Sequence, residues 1–159
     1  MIKMKQAFAF LFTILVFASI AGCAAKKAIK IDVDALAAKL ASSIKFNDPL
    51  AKIEEQPALK LYNMKNSLIN KQSVYVGSGA TAEEISVWEA TDADAAKSIK
   101  TAVLARIEAQ KSGFQDYVPA EMVKLKNPVL VCEGDYVILC LSNDNEKAKQ
   151  IIDSYLYSK

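Results

Sequence analysis

The sequence predicts an α+β domain: one antiparallel sheet of about four strands in the order β-β-α-β-β-α, helices on one face, and a further helix in front. Three observations predict it. Two apolar runs between Val129 and Leu141 flank Gly134-Asp135, a two-residue hairpin signal. Val74 and Val76 alternate with Tyr75 and Gly77, and Ile85 and Val87 with Ser86 and Trp88, around a small and polar stretch from Ser78 to Glu83. Three further stretches repeat apolar residues at helical spacing, each behind an acidic capping candidate.

Taken in order, the chain opens on Lys3 and Lys5, an apolar run from Ala7 to Ile20, and the small pair Ala21-Gly22, the pattern of a secretory signal. Cys23 follows directly. Ile20-Ala21-Gly22-Cys23 resembles the lipobox of bacterial lipoproteins, whose usual form has Leu where Ile20 stands. The resemblance implies that Cys23 receives a diacylglycerol thioether, becomes the first mature residue and holds the protein on the extracytoplasmic face of the cell membrane. Gln6 to Ala25 is also an uncharged run of 20 residues, long enough to span ~30 Å of hydrocarbon, so an uncleaved helix is the alternative. The expected organisation is a signal peptide over 1–22, a lipidated tether over 23–31 and a single domain over 32–159.

Behind the tether, Asp32 or Asp34 caps a helix with Val33, Leu36, Ala37, Leu40 and Ile44 on one side, running to about Lys45. Asn47-Asp48-Pro49 ends it. Leu50 to Gln72 has no clean period and reads as short helical turns and loops. A hairpin follows over Ser73 to Ala90. Asp92 to Lys111, capped by Thr91 or Asp92, is a strong helix with the stripe Ala96, Ile99, Val103 and Ile107, closed by Gly113. Pro119 suits the first position of a short helix carrying Met122, Val123 and Leu125. After the second hairpin, Asn143 or Asp144 caps a last helix with Ala148, Ile151, Ile152, Tyr155 and Leu156 on its stripe. Thr91–Ile99 and Asn143–Ile151 share an Asp, an acid, Ala, Lys and Ile at equal offsets, through either a common cap pattern or an ancient duplication.

Composition narrows the chemistry. The chain has 20 basic and 18 acidic side chains. Without Lys3 and Lys5 the two are equal in number, so the body lacks the basic excess that a nucleic-acid surface needs. No histidine is present, which removes Ser-His and Cys-His nucleophile pairs, histidine zinc sites and histidine-ligated haem. No Cys-x-x-Cys occurs either. With Gly134-Asp135 as the turn, Cys132 faces Val137 and Val129 faces Cys140. The two sulfurs therefore lie too far apart to pair, and both cysteines read as small buried hydrophobes.

Leu61-Tyr62-Asn63, Tyr75 to Ile85, Asp116-Tyr117-Val118-Pro119 and Gly134-Asp135-Tyr136-Val137 resemble a family of small lipoproteins from Gram-positive bacteria, known only as a domain of unknown function. The match runs from about Phe46 onward, and Ser78-Gly79-Ala80-Thr81-Ala82-Glu83-Glu84-Ile85 is its most specific part. The resemblance implies a single domain at the cell surface and transfers no catalytic residue.

Four residues of the body are candidate ligand or partner contacts: Ser78, Gly79, Thr81 and Trp88. Backbone N–H groups of the Gly77–Thr81 loop can cradle an anion, although the loop lacks the Lys of a phosphate-binding loop; a plain hairpin loop is the alternative. Trp88 with Tyr75 forms either an aromatic patch or part of the core. Adjacent Glu83 and Glu84 point apart on a strand and read as solvated surface. No cofactor or metal is expected. The expected role is a lipid-anchored extracytoplasmic binding or accessory protein, contacting the membrane through Cys23 and an envelope protein or small ligand through its body. An envelope enzyme using carboxylate or Tyr chemistry and a passive spacer are the alternatives.

Overall fold

Tyr136–Leu141 is a run of six apolar residues, and every one is buried. A strand with both faces apolar needs cover on both sides, and the architecture follows from that. The computed structural model describes residues 29–157. In chain order its elements are α1 (Val33–Ser43), β1 (Ala51–Ile53), α2 (Glu55–Leu61), β2 (Ile69–Val76), β3 (Glu84–Ala90), α3 (Ala93–Phe114), α4 (Met122–Lys126), β4 (Val129–Glu133), β5 (Tyr136–Leu141) and α5 (Asn145–Leu156). Short 3-10 turns at Asn66–Leu68 and Pro119–Glu121 lead into β2 and α4.

The five strands form one antiparallel sheet in the order β1-β2-β3-β5-β4. The α+β class and the antiparallel sheet are as the sequence predicts. The strand count is five rather than about four, because β1 pairs with the end of β2 and is too short to carry a period. Residues 50–72, read as turns and loops, thus contain a strand, a helix and the start of β2.

Helices cover both faces of the sheet, where the sequence led to the expectation of one. Ile85, Val87, Ile138 and Cys140 pack with Leu36 and Leu40 of α1 and Ile151 and Ile152 of α5. On the other side, Val74, Trp88, Val137, Leu139 and Leu141 pack with Ile99, Val103 and Ile107 of α3, Leu125 of α4 and Leu59 of α2. Neither side of the central strands is open to solvent. The two hairpins meet as antiparallel neighbours at β3 and β5. A two-fold axis normal to the sheet would put α3 and α5 on the same face, and they lie on opposite ones. The likeness of Thr91–Ile99 to Asn143–Ile151 is therefore that of two capped helix starts.

The caps are seen directly. Asp32 accepts from the N–H of Asp34 and Ala35, Asp92 from Asp94 and Ala95, and Asp144 from Lys147. Helix α3 runs through Gly113 to Phe114 instead of closing there. Gly134 adopts φ +57° at the β4–β5 turn, and the register sets Val129 against Cys140 and Cys132 against Val137. Both thiols are free. Cys140 is buried, which pushes its pKa up to about 12 and keeps it a thiol. Cys132 is exposed on the edge strand, contrary to the expectation of a buried residue.

Asp34 ties α1 to the sheet edge through Lys52 of β1 at 2.7 Å and Lys71 of β2 at 2.9 Å. These lysines hold its carboxyl at about 2. A depressed carboxyl stabilises the fold above its unfolded pKa of ~3.8 and loses that contribution as the pH falls through about 2. At its half-exposed position the contribution is no more than ~1 kcal/mol.

Trp88 is fully buried, with its ring edge-on to Tyr62 at a centroid distance of 5.0 Å. Trp88→Ala is expected to lower stability by ~3–5 kcal/mol through the cavity it leaves. Urea denaturation followed by circular dichroism measures this, and a loss under ~1 kcal/mol would mean that the ring is not core.

Candidate functional site

A cleft of about 280 Å³ lies between the β2–β3 loop and the last two turns of α3. It is built from the loop inward. Gly77 passes so close to Asp48 that a Cβ there would fall 2.4 Å from Asp48 Oδ2. The same oxygen accepts from the Ser78 hydroxyl at 2.7 Å and from the Ser78 N–H. Gly79 turns the chain back at φ +93°, a conformation that L side chains rarely adopt. Thr81 then donates to Glu83 Oε2 at 3.3 Å.

The floor is charged. Glu83 and Glu84 are both buried, at 2% and 1% exposure, where the sequence reads as solvated surface. Their side chains do diverge, each to its own set of donors. Glu83 Oε2 accepts from the N–H of Asn47 at 2.7 Å and of Asp48 at 3.0 Å, and Glu83 Oε1 pairs with Lys124 Nζ at 3.1 Å. Lys124 also donates to both oxygens of Glu121, at 2.9 and 2.8 Å, and Glu121 Oε2 accepts from the Ala82 N–H at 2.8 Å. Glu84 Oε2 accepts from Arg106 Nη2 and from Gln110 Nε2, both at 2.8 Å. Glu84 Oε1 accepts from the Tyr62 hydroxyl. Burial and the neighbouring Glu84 charge push the Tyr62 pKa well above its usual value.

Of the expected contact residues, Gly79 and Thr81 line the cleft. Ser78 lies beside it and anchors the loop to Asp48. Trp88 presents no surface, since it is enclosed in the core, and Tyr75 packs against the opposite core cluster. Cys23 lies outside the described residues. Glu83, Glu84, Arg106 and Gln110 also line it and carry its polar chemistry. Arg106 and Gln110 stand at i and i+4 on α3, and Glu121 and Lys124 at i and i+3, spacings that bring side chains to one helix face. Among the described residues, no group of three or more His, Cys, Asp or Glu side chains is placed to hold a metal ion. The filled carboxylates hold four segments of backbone together, and the loop and α3 present the remaining polar groups to the cleft.

The family model of DUF4358, a domain of unknown function, matches residues 42–142. The chain belongs to this family. No curated protein and no solved structure matches it. The matched span of the DUF4358 domain holds the whole cleft, the buried carboxylates Glu83, Glu84 and Glu121 and their partners Tyr62, Arg106, Gln110 and Lys124. Almost all of α1 and α5 lie outside it.

Removing one member of a buried ion pair leaves an uncompensated charge, at a cost of ~3–5 kcal/mol. Lys124→Met in the DUF4358 domain strands two buried carboxylates and is expected to cost that much in urea denaturation. Adding Glu83→Gln and Glu121→Gln should return part of the loss. An unchanged midpoint in the single variant would show that the lysine is not the counter-charge.

Proposed function

We propose that this DUF4358 protein is a lipid-anchored, extracytoplasmic binding or accessory protein of the cell envelope. Cys23 carries the diacylglycerol, residues 23–31 are the tether, and the cleft is the contact surface. The observation that carries the reading is the Ile20-Ala21-Gly22-Cys23 junction at the end of an apolar run opened by two lysines. Two acyl chains give durable anchoring where one gives marginal binding. No helix of the described residues is long and apolar enough to cross a membrane. The Gram-positive association of the resembling lipoproteins belongs to the same proposal. A tethered body with an open, partly polar cleft suits capture of a ligand or partner close to the membrane.

Labelled palmitate tests the anchor. Wild type should incorporate the label, and Cys23→Ala should not incorporate it and should remain unprocessed. Equal incorporation in the two would contradict the assignment.

A further inference from the structure

We infer that the cleft opens away from the bilayer, so that its partner comes from the aqueous side and not from the membrane itself. This inference rests on the reading of the chain as a lipid-anchored binding protein and adds which way that site faces. The tether joins the domain at one end of the central strands. Ile29 packs against the core beneath α1 and α5. The Ile31 N–H donates to the Tyr136 hydroxyl at 3.3 Å. Tyr136 opens β5, and Leu141 closes it opposite Glu84. The cleft lies at the Glu84 end. Five residue steps of β5 separate the two ends, about 17 Å of strand.

Tether and cleft also lie on opposite faces of the sheet. Ile31 and Tyr136 belong to the core beneath α1 and α5, whereas α3, one wall of the cleft, covers the other face. Two packed layers of ~10 Å each set them about 20 Å apart across the sheet. With the offset along the strands, the diagonal between them is roughly 26 Å. The reach of the tether decides what this allows. Cys23 is held at the bilayer surface by its own lipid, and six residue steps lead from it to Ile29. Fully extended, they span about 22 Å at most. Turning the cleft onto the bilayer would lift the attachment point by the whole diagonal, beyond that limit. Tyr117 and Val123, at 88% and 66% the most exposed large apolar side chains among the described residues, lie at the cleft end too. The Tyr117 N–H donates to the carbonyl of Phe114, which lines the cleft. Val123 stands between Glu121 and Lys124, and Lys124 reaches Glu83. By exposure alone the two could insert into lipid; the short tether keeps them on the aqueous side with the cleft.

The thiols supply the test. Cys132 is exposed and stands opposite Val137, near the tether end. Cys140 is buried and does not compete for a maleimide dye. Ala109 is exposed and lines the cleft, so Ala109→Cys in a Cys132→Ser background places the dye there instead. The experiment is energy transfer from the dye on the full-length lipidated protein, in phosphatidylcholine vesicles, to an acceptor on the lipid headgroups. Transfer should be stronger from position 132 than from position 109. Inserting about 20 Gly/Ser residues between Ala28 and Ile29 raises the root-mean-square span of the tether to roughly 28 Å. The domain can then turn over, and the difference between the two positions should shrink.

Two results would overturn the inference: transfer from position 109 as strong as or stronger than from position 132, no transfer from either included; or a difference that the longer tether leaves unchanged. Palmitate labelling reads the anchor independently, so a failed orientation and a failed anchor are separate outcomes.

Discussion

Two adjacent carboxylates buried at the head of the central strand are the constraint on which the rest of this structure depends. A carboxylate taken out of water without a partner is prohibitively costly, so each must be met by a cation and by hydrogen-bond donors. Glu84 is met by Arg106 and Gln110 from α3 and by Tyr62 beyond α2. Glu83 is met by Lys124 from α4 and by the backbone that follows α1. Four separate segments are thereby drawn to one end of β3. The cleft is the space left between the loop that delivers these carboxylates and the helix that neutralises one of them.

Much of the fold is legible in the sequence where a period or a turn signal survives. The capped helices α1, α3 and α5, both hairpins and the Cys132–Val137 register follow from apolar spacing, Asp caps and Gly134-Asp135. β1 is not legible, since three residues hold less than two periods of alternation. The double-sided cover is legible in Tyr136–Leu141, which is apolar at every position, as a strand buried on both faces must be. The burial of Glu83 and Glu84 is not legible, because the commonest fate of adjacent acids is solvation. Apart from Thr81, their partners stand 22 to 41 residues away from them, and only folding brings them near. The loop Ser78–Glu83 was legible as the place to look. Its supporting residues were not, because Asp48, Arg106 and Gln110 carry no local mark of a shared site.

The family match and the fold together divide the molecule unevenly. Residues 42–142 include all five strands, α3, α4 and the cleft. The helices that cover Ile85, Val87, Ile138 and Cys140 fall almost wholly outside them. Without α1 and α5 that sheet face would be a large bare apolar surface, which soluble domains rarely present. The flanking helices thus belong to the folded unit, and α1 also joins the domain to the proposed tether. Asp34 pins that junction to the sheet edge through Lys52 and Lys71.

Amide hydrogen exchange tests most directly whether the buried carboxylates hold the loop and the site together. The N–H groups of Asn47 and Asp48 donate to Glu83, and that of Ala82 donates to Glu121. All three lie outside the sheet ladder and the helices. If the carboxylates are the organising contacts, these amides exchange only through large-scale opening, on the timescale of the β3–β5 ladder. Exchange as fast as that of unprotected loop amides, with the ladder still protected, would contradict the account.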